Sequence, residues 1–548
     1  MTRTDARPAT DDVPPSLDRG TLVAACLAIA VAQVGVALVA PILGVIQADL
    51  GASVAALAWI PAAFIVPTAI LELNFGVLGD LFGRKRLLVV GGVLIMVGDL
   101  VAATSGALPQ LITGQAIAGL GAAAIFPSSL AVLVAATPGA RARARALSMW
   151  AVSLAAGAAV APLISGSISS VEAWGWSFVP PAVLGLTTSL VCARLVVDSR
   201  QPTGRGLDWR GQASIAVSLL ALLYAVIQGA TDGYGAGHIV LAFVVATVAF
   251  VAFMRAEHSA AAPMLRLDLF RRPAFAGAAV VGLLGLFGFI GTVYALSIKL
   301  EAILHVSTWR AALVFSLIQA VPLLLTPVLP WLLEWVHPRS LLIAGLVALT
   351  AGQLWMAGLG ADETRLTAMA GPILLMGVGF ITMFSSLTAV AVGSVDIRDA
   401  GMASAVTSLV RETGQSLGPA VVSAIALGLA GSSLTSKLAT SGLPDGALRV
   451  ALDVNSAGGP LAVANADLGP VSQVVAPLAR AALERGLDTG IYVCAAMSVL
   501  GALVAVLTLR DTHRGRSHDA AIATSRVEGA AVTEPAPSEG GAVPADLR

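Results

Sequence analysis

Residues 76–86 read Gly76-Val77-Leu78-Gly79-Asp80-Leu81-Phe82-Gly83-Arg84-Lys85-Arg86 and separate two long apolar runs. Each run is long enough to cross a bilayer, which takes about twenty apolar residues. Glycines permit a tight turn, an acid can cap or pair with a neighbouring helix end, and three consecutive cations favour the cytoplasmic face. The stretch therefore predicts a hinge loop between two membrane helices, built from Gly76, Gly79, Asp80, Gly83, Arg84, Lys85 and Arg86. An ordinary charged loop is the alternative.

The composition excludes a water-soluble chain. Of 548 residues, 57% are hydrophobic and 12% are charged, whereas about 25% of a soluble domain is charged. We therefore expect an all-α polytopic protein embedded in the lipid bilayer. The net charge is zero, so the sum says nothing about nucleic-acid partners, and none is expected. Only three of the 32 basic residues are lysines, which together with abundant Ala, Gly and Val is typical of a high-GC bacterium. The predicted location is a bacterial cytoplasmic membrane.

Fourteen apolar runs are long enough to be membrane spans. Spans 1 to 14 cover about 21–46, 54–76, 87–105, 110–133, 146–169, 177–197, 212–230, 238–255, 274–297, 310–333, 339–359, 366–391, 402–430 and 488–509. With a cytoplasmic N-terminus, the tails, inner loops and inner span ends hold 24 Lys/Arg and the outer loops hold six; Lys299 and Arg411 lie within or at the edge of spans. Since basic residues favour the cytoplasmic side, both termini are predicted to be cytoplasmic.

The segments outside the spans differ in character. Residues 1–20 and 510–548 are polar and are predicted to be disordered cytoplasmic tails. Residues 431–487 form a long polar outer connection, with short helices possible at 447–454 and 471–485. This connection could form an extracellular cap.

No motif indicates an enzyme, a cofactor or a metal. Nothing in the chain reads as a phosphate-binding loop, a zinc-protease motif or a nucleophile elbow. The three cysteines, Cys26, Cys192 and Cys494, lie singly in apolar runs and form neither a disulfide framework nor a metal site. Transport by this chain would therefore be driven by an ion gradient.

The 76–86 stretch resembles the G-x-L-x-D-x-x-G-R-K/R motif of the major facilitator superfamily, matched at Gly76, Leu78, Asp80, Gly83, Arg84 and Lys85. With fourteen spans, the chain resembles the drug:proton antiporters of that superfamily that carry two extra helices. The resemblance implies six-helix bundles at 21–197 and 274–509, with two inserted helices and linkers at 198–273. The same spacing occurs in both halves of the chain: Gly157 is five residues before Pro162, and Gly414 is five residues before Pro419. This agreement is expected if the two bundles are internal repeats.

The resemblance implies export of amphipathic or cationic drugs, toxicants or secondary metabolites by proton antiport and alternating access. Two alternatives remain open: an uptake carrier or uniporter for a polar solute, and a non-transporting membrane sensor or scaffold. They differ in what an assay would find, since the uptake carrier accumulates its substrate and the sensor moves none.

A proton carrier needs an ionisable group inside the membrane. Glu72 in span 2, Asp99 in span 3 and Glu412 in span 13 are the proton-coupling candidates. For each, a structural role is the alternative: Glu72 can pair with the cationic loop, and Asp99 can serve helix packing. Arg411 and Glu412 are neighbours on one helix, about 100° apart in rotation, so each needs its own partner. Lys299 and Glu301 at the outer end of span 9 are expected to reach to water.

Two further groups of residues have expected roles. Small residues and prolines permit close helix contacts and bends, which predicts a hinge at Gly157, Pro162, Gly166, Gly414, Gly418 and Pro419. By family analogy, spans 1, 4, 9 and 12 line the substrate cavity, with candidates Gln33, Gln115, Tyr294, Met383 and Arg411, beside Phe287, Phe289, Met376 and Phe384.

The chain also departs from the family pattern. Gly35 stands where span 1 usually carries an Asp, and Gln115 and Ala118 stand where span 4 usually carries Arg and Gln. The span 5 signature G-P-x-x-G-G reads Ala161-Pro162-Leu163-Ile164-Ser165-Gly166 here. Two positions linked to proton or substrate handling are thus neutral, which directs attention to Glu72 and Asp99 as substitutes.

Overall fold

The computed structural model describes residues 18–137, 140–199, 208–260, 267–359, 365–395, 400–466 and 468–509. The predicted disordered tails fall outside these ranges, except for residues 18–20. The α-helices are α1 (Arg19–Ala37), α2 (Leu43–Leu50), α3 (Val54–Phe82), α4 (Arg84–Ala103), α5 (Leu108–Ala135), α6 (Ala140–Ser169), α7 (Val179–Leu195), α8 (Trp209–Asp232), α9 (Gly237–Ser259), α10 (Pro273–Ile298), α11 (Thr308–Leu325), α12 (Leu329–Trp335), α13 (Pro338–Ala357), α14 (Leu366–Gly393), α15 (Ala400–Ala439), α16 (Asp445–Asn465) and α17 (Ser472–Thr508).

Fourteen helical segments of the described chain are long and apolar enough to cross a membrane. The prediction of fourteen spans is confirmed. Span 1 is not one straight helix, because α1 ends at Ala37 and a 3₁₀ turn at Ala40–Ile42 precedes α2. Pro41 in that turn lacks an N–H group and cannot continue the α-helical hydrogen bonds.

The predicted hinge loop is far shorter in the structure. Helix α3 runs through Gly76 and Gly79 to Phe82, and α4 begins at Arg84. Gly83 alone makes the turn, with φ +105°, a conformation that strains residues with a Cβ atom. The expectation that three glycines form the turn was therefore wrong. Following the sequence-based orientation, we call the side of Gly83 the inner side and the opposite side the outer side.

The membrane helices pack as two groups and a pair. Helices α1 and α3 to α7 contact one another, as do α10, α11, α13 to α15 and α17, while α8 packs against α9. We call the two groups the first and the second bundle. They meet where α6 contacts α11 and where α3 contacts α15, and α8 lies against both α3 and α15. The seam between α3 and α15 is thus covered by α8.

Equivalent helices of the two bundles pack in the same way. A Cβ atom on Gly157 of α6 would lie 2.3 Å from the Ala30 carbonyl oxygen of α1, and one on Gly414 of α15 would lie 2.3 Å from the Leu283 carbonyl oxygen of α10. Both helices also continue through a proline five residues later. The repeated spacing therefore corresponds to one helix contact that occurs twice.

The long outer connection is mostly helical. Helix α15 extends to Ala439, α16 covers Asp445–Asn465 with a non-helical Gly459, and α17 begins at Ser472 and continues without a break as span 14. The two short helices predicted at 447–454 and 471–485 are therefore parts of longer ones. Leu461 of α16 and Leu434 of α15 are buried in the core that joins the bundles.

Candidate functional site

A cavity lies between the two bundles. Its walls come from α1, the 3₁₀ turn, α2, α3, α6, α10, α11 and α15, and are mostly apolar; they include Val36, Ile65, Pro162, Phe289, Tyr294, Phe315, Gln319 and Pro419. The prolines of the repeated segment, Pro162 and Pro419, thus lie on opposite bundles and face one space. Apolar walls with a few polar groups are typical of sites for small organic molecules.

The cavity is narrow in this conformation. About 80 Å³ is open to the centres of water molecules, and one water needs about 10–15 Å³ on that measure. The space therefore holds several water molecules. A larger molecule requires the bundles to move apart.

An aromatic stack leads from the cavity wall towards the inner side. The Phe289 ring, in the wall, stacks on the Phe380 ring of α14 with centroids 4.0 Å apart and planes 12° apart. Phe384, one turn further along α14, lies 5.6 Å from Phe380. The Arg411 guanidinium carbon lies 4.4 Å from the centre of the Phe384 ring, a geometry in which the cation is attracted to the ring face. The cavity and Arg411 are therefore in contact through three rings.

Arg411 belongs to a charged cluster between α3 and α15. Its charge interacts with both Glu72 and Glu412, and the two carboxyl groups lie close enough to interact with each other. One nitrogen of Arg411 donates to the Ser408 hydroxyl over 3.1 Å. Arg411 Nε and Glu412 Oε2 are buried and have no hydrogen-bond partner in the described chain. Residues that are neighbours on α15 thus share a partner, Glu72, on the other bundle.

The cluster lies inward of the cavity. Glu72 is seven residues after Ile65 on α3, and Arg411 is eight residues before Pro419 on α15. At 1.5 Å per residue, these separations are about 10 Å and 12 Å along the helices. The charged groups therefore lie within two or three helical turns of the cavity.

Other predicted site residues lie elsewhere. Asp99 of α4 is 1% exposed, and its Oδ2 has no hydrogen-bond partner in the described ranges. Gln115 of α5 is also buried, and its Oε1 is unpaired there. Gln33 and Met383 are outside the cavity walls, and the Met383 sulfur packs beside Gly285. Of the five cavity candidates, the structure places Tyr294 in the wall.

The inner turn is held by one ion pair. The Arg84 guanidinium donates to Asp80 Oδ1 from two nitrogens, over 2.7 and 3.0 Å, and to the Ala131 carbonyl of α5 over 3.3 Å. The Lys85 N–H donates to Asp198. Arg86 is exposed. The turn thus ties α3 to α4 and α5, within the first bundle.

Packing accounts for two of the departures from the family pattern. A Cβ atom on Gly35 would lie 2.6 Å from the Phe64 ring, so an Asp does not fit there without moving that ring. Ala118 is buried where α5 touches α4, because a Cβ atom on Gly98 would lie 2.4 Å from the Ala118 nitrogen. A longer side chain at Gly35 therefore requires Phe64 to move, while Ala118 lies buried at a close contact between two helices.

Lys299 and Glu301 do not reach to water, contrary to expectation. Lys299 is 5% exposed, and its Nζ lies 2.7 Å from Asp488 Oδ1 and 3.4 Å from Glu484 Oε1 on α17. Glu301 is 9% exposed and accepts the Gly44 N–H over 2.8 Å. Both side chains find buried partners that are distant in sequence.

Sequence reasoning did not identify the α11 side of the cavity. Phe315 and Gln319, four residues apart, lie on one face of that helix and both line the space. This spacing is visible in the sequence, but span 10 was not among the expected lining helices. Spans 4 and 12 contribute no residue to the walls described above.

Comparison with known proteins agrees with this architecture. The sequence profile of the Major Facilitator Superfamily matches residues 25–419. The chain is 30% identical over 451 residues to the multidrug efflux pump LfrA of Mycolicibacterium smegmatis, covering 82% of this chain and 87% of that protein. It is 29% identical over 426 residues to a probable actinorhodin transporter of Streptomyces coelicolor, covering 75% and 72%.

Solved structures show the same fold. A bacterial homologue of the human lysosomal transporter Spinster, in an inward-facing and occupied conformation, superposes with a TM-score of 0.62 at 14% identity, covering 89% of this chain and 96% of that one. The xylose transporter XylE from E. coli gives 0.56 at 13% identity, covering 90% and 100%. The chain belongs to the major facilitator superfamily. It is a multi-pass bacterial membrane protein with the fourteen-helix form of that fold.

Proposed function

We propose that this protein is a secondary active transporter that exports amphipathic or cationic small molecules across the cytoplasmic membrane in exchange for protons. Relatives across most of its length are named multidrug efflux pump and probable actinorhodin transporter. The mostly apolar cavity between the bundles suits a promiscuous amphipathic substrate. Substrate and proton would each bind between bundles that rock about this site.

A continuous series of side-chain contacts joins the cavity to the charged cluster, and this connection is the main support for the proposal. Phe289 lines the cavity, and Phe380 and Phe384 link it to Arg411. A substrate that displaces Phe289 therefore disturbs the ring on which Arg411 rests. Since Arg411 interacts with both carboxyl groups, its movement changes how well the cluster holds a proton.

The cluster can change its charge with one proton. Glu72, Glu412 and Arg411 sum to −1 when both carboxyl groups are ionised and to zero when they share a proton. Each elementary charge that crosses the membrane against or with 100 mV is worth about 2.3 kcal/mol. A cluster neutralised by a proton or by a bound cationic substrate would permit the rocking motion, while the cluster with neither would remain at the side where it has water.

Alternating access also needs the bundles to separate at each end in turn. In the proposal, the segments around Gly157, Pro162 and Gly166 and around Gly414, Gly418 and Pro419 act as hinges. Their prolines face the cavity from both bundles, and Gly166 packs against Ala312 of α11. The Asp80–Arg84 pair stabilises the inner turn of the first bundle and would help to gate the inner side.

The test uses purified protein in liposomes loaded with a fluorescent lipophilic cation. Dye movement is followed with and without an imposed pH gradient, for the wild type, Glu72→Gln and Glu412→Gln. The matched control is Glu334→Gln, because Glu334 is an exposed acid on α12. We expect gradient-driven movement in the wild type and the control, and its loss in both cluster variants.

Two results would contradict the proposal. Gradient-driven movement that persists in both Glu72→Gln and Glu412→Gln would exclude the cluster as the coupling site and direct the search to Asp99. Movement of a range of lipophilic cations that never responds to the gradient would exclude proton antiport.

A further inference from the structure

Glu301 joins the two bundles at their outer end. It lies in a π-helical turn, Lys299–Ile303, that follows α10. Its Oε2 accepts the Gly44 N–H over 2.8 Å although the residues are 257 apart in sequence, and the Val45 N–H also points at the carboxyl group. Single π-helical turns in α-helices occur frequently at functional sites. The second bundle thus holds the first through one buried carboxylate.

The contact caps a helix that has no cap of its own. Helix α2 begins at Leu43, after the turn at Pro41, and no side chain near its start accepts its first N–H groups. Such free N–H groups, with the positive end of the helix dipole, favour a carboxylate. Glu301 supplies that carboxylate from the opposite bundle.

Gly44 is required for this approach. A Cβ atom at Gly44 would lie 2.4 Å from Glu301 Cβ and 2.7 Å from Oε2. Any other residue at this position would therefore push Glu301 away from α2.

Two further hydrogen bonds join the two bundles near Glu301. The Tyr294 hydroxyl donates to the Val54 carbonyl at the start of α3, and the Ser297 hydroxyl donates to the Ala40 carbonyl. Both donors lie on α10, within two turns of Glu301. Together the three contacts close the outer end above the cavity.

In the described part of the chain, the charged groups near Glu301 are either paired with other residues or exposed. Among the elements packed on the π turn, α10 carries no charged side chain within Pro273–Ile298, and α17 presents Glu484 and Asp488, which hold Lys299. On α2, Asp49 accepts from Trp174 Nε1. On the α11 side, Arg310 and His305 are exposed and Thr308 is the neighbouring hydroxyl. Glu301 Oε1 is buried and has no partner at hydrogen-bonding geometry in the described chain.

We propose that Glu301 is a second proton-binding group and the latch of the outer gate. Ionised, it caps α2 and holds the outer ends together. Protonated, it loses most of its attraction for the helix N-terminus, so the outer ends separate. Acid outside the cell then favours the outward-open state. This inference rests on the proposed antiport function.

The test measures how accessible the cavity is from the outer side, and it does not depend on transport. Val293 also lines the cavity. A single reporter, Val293→Cys, is placed in a chain with Cys26, Cys192 and Cys494 replaced by alanine. Its labelling rate with a membrane-impermeant maleimide, added from outside, is divided by the rate at Val171→Cys, an exposed residue of the loop after α6. The division removes the effect of pH on thiol reactivity.

If the binding of one proton opens the outer gate, the ratio of the two labelling rates changes at most tenfold per pH unit. We expect the ratio to rise several-fold as the pH falls from 8 to 6, to become independent of pH in Glu301→Gln, and to be high at both values in Gly44→Ala. Glutamine can still accept the Gly44 N–H, so the fold is kept. A pH dependence that survives Glu301→Gln, or an unchanged ratio in Gly44→Ala, would overturn the latch. Gradient-driven dye movement, measured separately, would then show whether the protein is a proton antiporter even though Glu301 is not its outer latch.

Discussion

Gly157 of α6 lies so close to Ala30 of α1 that a Cβ atom would be 2.3 Å from the Ala30 carbonyl oxygen. Backbones that approach this closely are a common means of helix association in membranes, where lipid removes the hydrophobic driving force. The second bundle repeats the contact between Gly414 and Leu283. The interface is therefore sensitive to a single added methyl group.

We expect Gly157→Ala and Gly414→Ala each to destabilise the protein by about 1–3 kcal/mol, because overpacking displaces a backbone. Thermal unfolding in detergent measures the effect. The matched control is Gly428→Ala on α15, where nothing lies within 4 Å of the new Cβ atom; alanine there should be neutral or stabilising. Equal melting temperatures for all three variants would contradict the close contact.

Phe384→Leu should weaken coupling without destroying the cavity. Leucine keeps an apolar side chain but offers no ring to Arg411, and an interaction of about 0.5–2 kcal/mol is lost. That corresponds to about a 2- to 30-fold fall in gradient-driven dye movement, with dye binding to the unenergised protein little changed. Phe250→Leu, on an exposed part of α9, serves as the control. If coupling is the same in both variants, the aromatic stack does not connect the two sites.

Lys299→Met should be among the most damaging single substitutions. It leaves Asp488 and Glu484 facing each other in a largely buried site, and breaking such a cluster costs about 3–5 kcal/mol. The triple variant that adds Glu484→Gln and Asp488→Asn removes the uncompensated charge and should recover much of the stability. Thermal unfolding compares both with Lys437→Met. A triple variant no more stable than Lys299→Met would contradict the electrostatic explanation.

Asp18 makes the stability of α1 depend on pH. Hydrogen bonds from the Thr21 hydroxyl and from the Thr21 and Gly20 N–H groups hold the pKa of the Asp18 carboxyl below its ordinary value. Because the folded-state pKa is lowered, the stabilisation is present above the unfolded pKa of about 3.9 and is lost as the pH falls through the folded pKa.

Asp18→Ala should therefore cost about 1 kcal/mol at pH 7. The difference from wild type should shrink below about pH 4, as measured by thermal unfolding in detergent at each pH. Asp18→Asn keeps a capping oxygen that does not titrate and is the control for the charge. A difference between wild type and Asp18→Ala that stays constant to low pH would exclude this linkage.

Much of the fold was readable from local sequence. The apolar runs, each about as long as a bilayer is thick, predicted fourteen spans, and the described chain has fourteen helical segments that match them. The 76–86 motif indicated the superfamily. Its detailed geometry was not predicted, because Gly76 and Gly79 remain helical once α5 packs beside them, and only Gly83 needs a positive φ.

The site was readable only in part. Glu72 and Glu412 were candidates because an acid in an apolar run is costly and needs a reason, but their separation of 340 positions concealed that they face each other. Lys299 and Glu301 were misjudged for the same reason, since Asp488 and Gly44 are far away in the chain. Phe315 and Gln319 line a cavity whose existence depends on how two bundles meet.

The sequence by itself thus determined the number of membrane helices, the superfamily and the internal repeat, because hydrophobic length, glycine and proline act locally. Tertiary structure alone decided which charges meet, which rings connect the cavity to Arg411, and which carboxylate closes the outer end. Those contacts join residues from different helices, and their distances are set by the packing of the two bundles against each other.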